Sequence, residues 1–263
     1  MSRTAQVAVR TALDALPPIG LTELQLAADL QTRLDRKYIV DPDVVVQAIR
    51  TLGPTLRVLS IGDLRDFTYD SVYFDTPSLE SYLGAATGRR RRFKVRTRSY
   101  LDAGECVLEV KTAGGRGHTV KQRLPYALDR RAELDDHARD FLHRNRIDPT
   151  VTAELGQVMV TRYQRSTLLG DDGSRFTLDT GLRCTAPTGR SVELGRKVLV
   201  ETKSPGAVTA LDRVLWQRGI RPVRVSKYCT GLAALTPGLP AHRWNTTLRR
   251  HFGWVPARVD PES

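Results

Sequence analysis

Glu109 and Lys111 stand two residues apart in Val107-Leu108-Glu109-Val110-Lys111, and Glu201 and Lys203 repeat that spacing in Val200-Glu201-Thr202-Lys203. In an extended strand, residues i and i+2 point to the same face. Each pair therefore sets a carboxylate beside an ammonium, with apolar or small residues opposite. The parity recurs along the chain. In Arg92-Phe93-Lys94-Val95-Arg96-Thr97-Arg98 the four bases share a face opposite Phe93, Val95 and Thr97. Lys121 pairs with Arg123 in Thr119-Val120-Lys121-Gln122-Arg123, and Arg175, Thr177 and Asp179 share a face opposite Phe176 and Leu178.

One such strand reads as part of a sheet with its charged face in water, as antiparallel sheets commonly have. Five are another matter, because exposed sheet faces mix signs between neighbouring strands. Two like charges about 5 Å apart repel by roughly 3 kcal/mol at an effective dielectric near 20. A face that sets cation beside cation on consecutive strands is expected to hold an anion. Lysine supplies only seven of the 41 Lys+Arg, and six of the seven fall in these strands or in Arg36-Lys37-Tyr38 and Ser226-Lys227-Tyr228. Aromatics are 6% of the chain and nearly absent from the charged faces, which disfavours a single-strand nucleic-acid groove with its stacking platforms. Glu109 and Glu201 suit a hard divalent cation shared with phosphate oxygens; plain ion pairing with neighbouring Arg or Lys is the alternative. There is no Gly-x-x-x-x-Gly-Lys-Ser/Thr loop, no zinc spacing among the five histidines and no nucleophile elbow.

Several helices and at least six strands must position these residues. Leu24, Leu26, Leu30 and Leu34 predict a helix over about 21–33, with Thr22 as cap and Gln25 three positions on. Asp41-Pro42 starts a second helix that stops at Gly53; 133–145 forms a third; Ser204-Pro205 opens a fourth that runs to Gly219; a short fifth follows Lys227. Strands are expected at 71–75, 92–100, 106–112, 118–125, 157–168 with 174–180, and 197–203. Gly-rich turns at Ala113-Gly114-Gly115 and Gly170-Asp171-Asp172-Gly173 separate some of them. Sequential hairpins with peripheral helices indicate an antiparallel α+β fold.

The chain has 263 residues, a net charge of +12 and 40% hydrophobic residues. That excludes a disordered chain. No apolar run approaches the roughly 18 residues of a membrane span, and no signal peptide is read at the N-terminus. Cys106, Cys184 and Cys229 are far apart, which suits a reducing, cytoplasmic setting. No repeat and no linker divides the chain. The expected organisation is an N-terminal extension (1–20), a main domain (21–236) and a C-terminal extension (237–263). The segment from Leu52 to Asp66 fits no expected element.

An ordered set of short motifs carries a family resemblance. It comprises Arg36-Lys37-Tyr38, Tyr73-Phe74-Asp75-Thr76, Lys94 to Tyr100, Leu108-Glu109-Val110-Lys111, Arg162-Tyr163-Gln164-Arg165, Phe176 to Thr180, Val200-Glu201-Thr202-Lys203 and Ser226-Lys227-Tyr228. This resembles the VTC domain, the polyphosphate polymerase domain of the triphosphate tunnel metalloenzymes, or CYTH superfamily. The resemblance implies an antiparallel β-barrel whose charged interior forms a tunnel for a phosphate chain. It implies catalytic roles for Lys37, Arg98 and Lys227. Phosphate or ATP contacts would come from Lys94, Arg96, Lys111, Lys121, Arg123, Arg165, Arg175 and Lys203. Glu201, with Glu109, would hold Mn²⁺ or Mg²⁺.

The implied reaction passes the ATP γ-phosphate to a growing polyphosphate chain. The partners are then ATP and inorganic polyphosphate, with no specific nucleic acid, and a membrane-protein partner encoded elsewhere is left open. The acidic Glu-x-Glu-x-Lys motif of the hydrolytic branch is missing near Lys37. That disfavours thiamine triphosphatase and adenylate cyclase activity and leaves tripolyphosphate hydrolysis open. A non-catalytic polyphosphate or nucleic-acid binding module is the third reading.

Overall fold

The computed structural model describes residues 3–27, 34–113, 119–204, 206 and 208–255. Its strands are β1 (Pro18–Ile19), β2 (Leu34–Val40), β3 (Leu56–Leu59), β4 (Phe67–Asp75), β5 (Phe93–Tyr100), β6 (Glu105–Ala113), β7 (Thr119–Tyr126), β8 (Gly156–Gly170), β9 (Arg175–Thr185), β10 (Ser191–Glu193) and β11 (Val198–Ser204). The helices are α1 (Arg3–Asp14), α2 (Leu21–Ala27), α3 (Pro42–Leu52), α4 (Glu80–Thr87), α5 (Asp136–Arg144), α6 (Pro149–Glu154), α7 (Ala210–Gln217), α8 (Lys227–Leu235) and α9 (Asn245–His251). The described residues fall into two compact units. The first draws on 1–68, 163–182 and 194–224, the second on 69–162, 183–193 and 225–263.

In the first unit the strands pair in the order β2-β11-β9-β8, with β3 antiparallel to β8 and β1 parallel to β3. Alternation sends Tyr38, Val40, Val198, Val200, Phe176 and Leu178 to one face, where they pack with Val9 and Leu13 of α1, Val45 and Ile49 of α3, and Leu211 and Leu215 of α7. Proline at the first helical position and Asp41 before it start α3. A full capping box starts α7: Thr209 Oγ1 accepts from the Asp212 amide at 3.0 Å, and Asp212 Oδ2 accepts from the Thr209 amide at 2.9 Å. Asp212 is fully buried and also accepts from Tyr38 Oη at 2.6 Å, Thr202 Oγ1 at 2.9 Å and Arg36 Nη1 at 3.1 Å. One carboxylate thus ties a helix start to two strands.

In the second unit β8 is followed by β4, β5, β6 and β7 in pairing order, while the end of β9 pairs with β10. The apolar face of this sheet (Val72, Phe74, Val95, Leu108, Val110) is covered by Ala138, Phe141 and Leu142 of α5. Asp135 caps α5 by accepting from the Ala138 amide at 2.8 Å. Near α8, the Tyr82 ring meets Tyr228 edge-on at 6.4 Å and Trp244 at 5.8 Å.

The architecture is α+β with a large antiparallel sheet, and the strand order within each unit is open. Three expected elements differ. Leu34, expected on the apolar stripe of the 21–33 helix, opens β2, whose alternation buries Tyr38 and Val40; α2 covers Leu21–Ala27 with Leu26 79% exposed, and residues 28–33 lie outside the described residues. The fourth helix begins at Ala210, after the capping box, because Ser204 is still paired in β11 with Leu34. Arg92 lies before β5, outside the row of bases. The Ala113-Gly114-Gly115 turn falls partly outside the described residues. The Gly170–Gly173 turn is a tight hairpin, with Gly173 at φ +74° and the Gly170 amide donating to Ser174 O at 2.8 Å. The unplaced 52–66 segment supplies β3, and the expected N-terminal extension buries Val9, Leu13 and Leu16 in the first unit's core.

Candidate functional site

Register decides which charged residues are neighbours. In the second unit Lys94 is opposite Lys111, and Lys111 is opposite Lys121, so three lysines form a row across β5, β6 and β7. The adjacent row on the same face is Tyr73, Arg96, Glu109 and Arg123; the next holds Ser71 and Arg98. Six basic residues therefore share this face with Glu109, and the other acids of the same parity, Asp75 and Glu105, lie at the ends of β4 and β6.

Glu109 is 1% exposed and fully engaged. Its Oε2 accepts from Arg96 Nε at 2.7 Å and also pairs with Arg96 Nη2, and its Oε1 accepts from Arg123 Nε at 2.8 Å. Burial pushes its pKa up, but Arg96, Arg98 and Arg123 together hold it well below the usual carboxylate range. Lys111 has the opposite balance. Burial, Arg96 and Lys94 push its pKa down to about 6, against a smaller opposing pull from Glu109. The lysine row is electrostatically uncomfortable as it stands, and a bound anion would relieve it.

Aromatic rings back these cations. The Arg96 guanidinium lies 5.9 Å from the Tyr73 ring, Arg98 lies 5.5 Å from Tyr69, and Lys94 Nζ lies 5.5 Å from Tyr228. Tyr73 and Tyr228 stack at 5.1 Å. Tyr228 donates to Asp75 Oδ2, and the same buried carboxylate accepts from the amides of Thr76, Ser81 and Tyr82. Lys94 Nζ donates to Ser226 Oγ at 3.1 Å, the residue that caps α8, and Lys227 is the first residue of that helix. Two polar atoms on this face are buried without a hydrogen-bond partner, Arg98 Nε and Ser71 Oγ. Buried donors are satisfied in native proteins unless a ligand or water completes them.

The first unit carries a second charged face. Register sets Lys37, Glu201 and Thr177 in one row across β2, β11 and β9, and Asp35, Lys203 and Arg175 in the next. Lys203 Nζ donates to Asp35 Oδ2 at 3.1 Å and pairs with Glu201 Oε1. Arg165 grips Asp179 bidentately, Nε to Oδ1 at 2.6 Å and Nη2 to Oδ2 at 2.8 Å. Burial opposes ionisation of Glu201, yet Lys37, Lys203 and Arg165 hold its pKa well below the usual range. Thr177 Oγ1 is buried without a hydrogen-bond partner. Arg36, next to Lys37, points the other way, to Asp212.

The expected residues thus fall into two sets. The second unit holds Lys94, Arg96, Arg98, Lys111, Lys121, Arg123, Lys227 and Glu109; the first holds Lys37, Arg165, Arg175, Lys203 and Glu201. Among the described residues no group of three or more His, Cys, Asp or Glu is placed to hold a metal ion. The donor set fits a hard divalent cation only as one carboxylate completed by phosphate oxygens. Glu201 suits that role better than Glu109, both of whose oxygens are committed to arginines. Sequence reasoning missed the ring supports Tyr69, Tyr73 and Tyr228 and the partners Asp35 and Asp75. Strand parity would have put Tyr73 on one face with Ser71 and Asp75, but its place beside Arg96 follows only from the register of β4 and β5.

The chain matches the model of the VTC domain over residues 32–236. No curated protein gives a significant match. Among solved structures it is similar to a Hippeastrum protein described as an adenylyl cyclase candidate with a dominant triphosphatase activity. That likeness has 15% identity, 79% of this chain, 99% of that one and a TM-score of 0.45. The PH1819 protein of Pyrococcus horikoshii OT3 is similar at 14% identity, with 75% and 96% coverage and a TM-score of 0.43. The inorganic triphosphatase NE1496 gives 14% identity, 66% and 75% coverage and a TM-score of 0.30.

Proposed function

The chain belongs to the VTC domain family, and from that premise we propose that it is a metal-dependent phosphotransferase that moves the ATP γ-phosphate onto an inorganic polyphosphate chain. The observation that carries this reading is the sheet face of the second unit, where six basic residues outnumber the acids Glu109, Asp75 and Glu105, and Glu109 is already paired. Such a face fits a chain with one negative charge or more per phosphate.

Phosphoryl transfer asks the protein for positioning and charge neutralisation more than for a nucleophile. Lys94, Lys111 and Lys121 form a ladder of basic groups, spaced by the strands at about 5 Å, that a phosphate chain can follow. Arg96 and Arg123 are held in place by Glu109, so their outward N–H groups are preorganised for phosphate oxygens. Arg98, with Nε buried and unpaired, and Lys227, at the start of α8, are placed to take charge developing on the transferred group and the leaving oxygen. In the first unit Lys37 and Lys203 flank Glu201, and Arg165 and Arg175 add further phosphate contacts. Mn²⁺ or Mg²⁺ at Glu201 would supply charge neutralisation across neighbouring phosphate oxygens. On the two charged faces Glu109, Glu201, Asp35 and Asp179 are bound to cations, which weakens each as a base for water and supports a phosphate acceptor over hydrolysis.

Arg98→Ala and Glu201→Gln test the assignment. Each is expected to keep the circular dichroism spectrum of the parent while losing about a hundredfold or more in ATP consumption, the scale of removing one preorganised charge-stabilising group. If Glu201→Gln turns over normally with metal, the metal assignment is wrong. Release of phosphate from tripolyphosphate with no chain growth from ATP would replace the polymerase with a hydrolase.

A further inference from the structure

The apolar face of the second unit's sheet, opposite the lysine row, ends in a cleft of about 800 Å³. Its floor is the register row Phe93, Thr112 and Val120, followed by Gln122. Val120 is 44% exposed, unusual for a β-branched residue on the packed side of a sheet. The rim carries Arg91 and Arg92 from the segment before β5, and Arg144 and Arg146 from the end of α5. All four are exposed, and none makes an ion pair among the described residues. Two acids also line the cleft. Asp148 spends its Oδ1 on the Thr150 amide at 2.9 Å and on Thr150 Oγ1 at 2.6 Å as the cap of α6, which leaves Glu80 as the other.

Arg146 is held in an unfavourable conformation. Helix α5 ends in a Schellman motif, with the Arg146 amide donating to His143 O at 2.9 Å and the Ile147 amide to Leu142 O at 3.1 Å. The position after the cap then needs a left-handed backbone, and Arg146 has φ +66° where glycine is the favoured residue. A strained arginine at the mouth of a cleft is the kind of outlier from which function is inferred.

We propose that this cleft is a second anion site, separate from the charged face, that takes a nucleoside di- or triphosphate. A bare phosphate chain has no use for an apolar floor. A flat base does, and Phe93 with Val120 offers one while the arginines provide planar donors for the phosphates. The volume falls in the range of small-molecule sites.

Titration of the full-length chain with ADP, and separately with tripolyphosphate, tests this on the parent, on the Arg144→Ala/Arg146→Gly double variant and on Arg98→Ala. The parent should bind ADP at two sites, one of them on the charged face; the double variant should bind at the other at least tenfold more weakly, bind tripolyphosphate as the parent does, and keep turnover. Arg146→Gly alone should raise the melting temperature, because it relieves backbone strain. Unchanged ADP binding by the double variant overturns the proposal, and so does a loss of tripolyphosphate affinity in parallel with ADP. Failure of the catalytic reading shows separately, as ATP consumption that Arg98→Ala leaves intact.

Discussion

The two glutamates singled out by their spacing from a lysine have different physical situations. Glu109 is enclosed by Arg96 and Arg123, with both oxygens used. Removing one partner of a buried pair leaves the other uncompensated, at a cost of about 3–5 kcal/mol. Glu109→Gln is therefore expected to lower stability by about 3 kcal/mol in urea unfolding. Glu201→Gln should cost less, about 1–2 kcal/mol, because Lys203 keeps Asp35 and Arg165 keeps Asp179. Equal losses would contradict the distinction. Lys111 makes a separate prediction. With its pKa pushed down to about 6 by burial, Arg96 and Lys94, it is mostly neutral at pH 7.5, and a phosphate beside it would restore the charge. Tripolyphosphate binding at that pH should take up close to one proton. The contribution of Lys111 to the affinity should hold level below pH 6 and fall as pH rises above it. Calorimetry in buffers of different ionisation enthalpy measures the uptake, which Lys111→Met should abolish; uptake that survives the substitution belongs to another group.

The strands were legible because side-chain alternation is a two-residue signal that tertiary context rarely overrides. The parity of β5, β6, β7, β9 and β11 read from the residues is the parity of the folded sheets. What alternation cannot supply is register: that Lys94, Lys111 and Lys121 form one row, or that Lys37 lies opposite Glu201, depends on pairing between distant segments. Helix limits were less legible. The leucines from residue 24 suggest a helical stripe, but Leu34 belongs to β2, where burying Tyr38 and Val40 against α3 and α7 outweighs local propensity. Likewise Pro205 suggested a helix start that the Thr209–Asp212 capping box overrides. Asp212 is the central polar residue of the first unit, accepting from Tyr38, Thr202, Arg36 and the Thr209 amide. Asp212→Ala strands four donors and should cost about 3–5 kcal/mol. A shift below about 1 kcal/mol in the unfolding free energy would mean that these bonds do not hold α7 to β2 and β11.

The net charge of +12 named no ligand by itself, and the distribution says more. The first unit's charged face nearly balances, with Lys37, Arg165, Arg175 and Lys203 against Asp35, Asp179 and Glu201. The second unit's face does not, with six basic residues against Glu109, Asp75 and Glu105. The excess that calls for a polyanion is therefore local, and the ordered motifs that pointed to the VTC domain family carry the residues on both faces. The central claim is transfer of phosphate from ATP to a phosphate chain, and phosphorus NMR of the full-length protein with ATP and Mg²⁺ tests it most directly. The expected result is a growing signal from chain-interior phosphates as ADP accumulates. An ATP spectrum that stays unchanged, or one that yields only free phosphate, would contradict it.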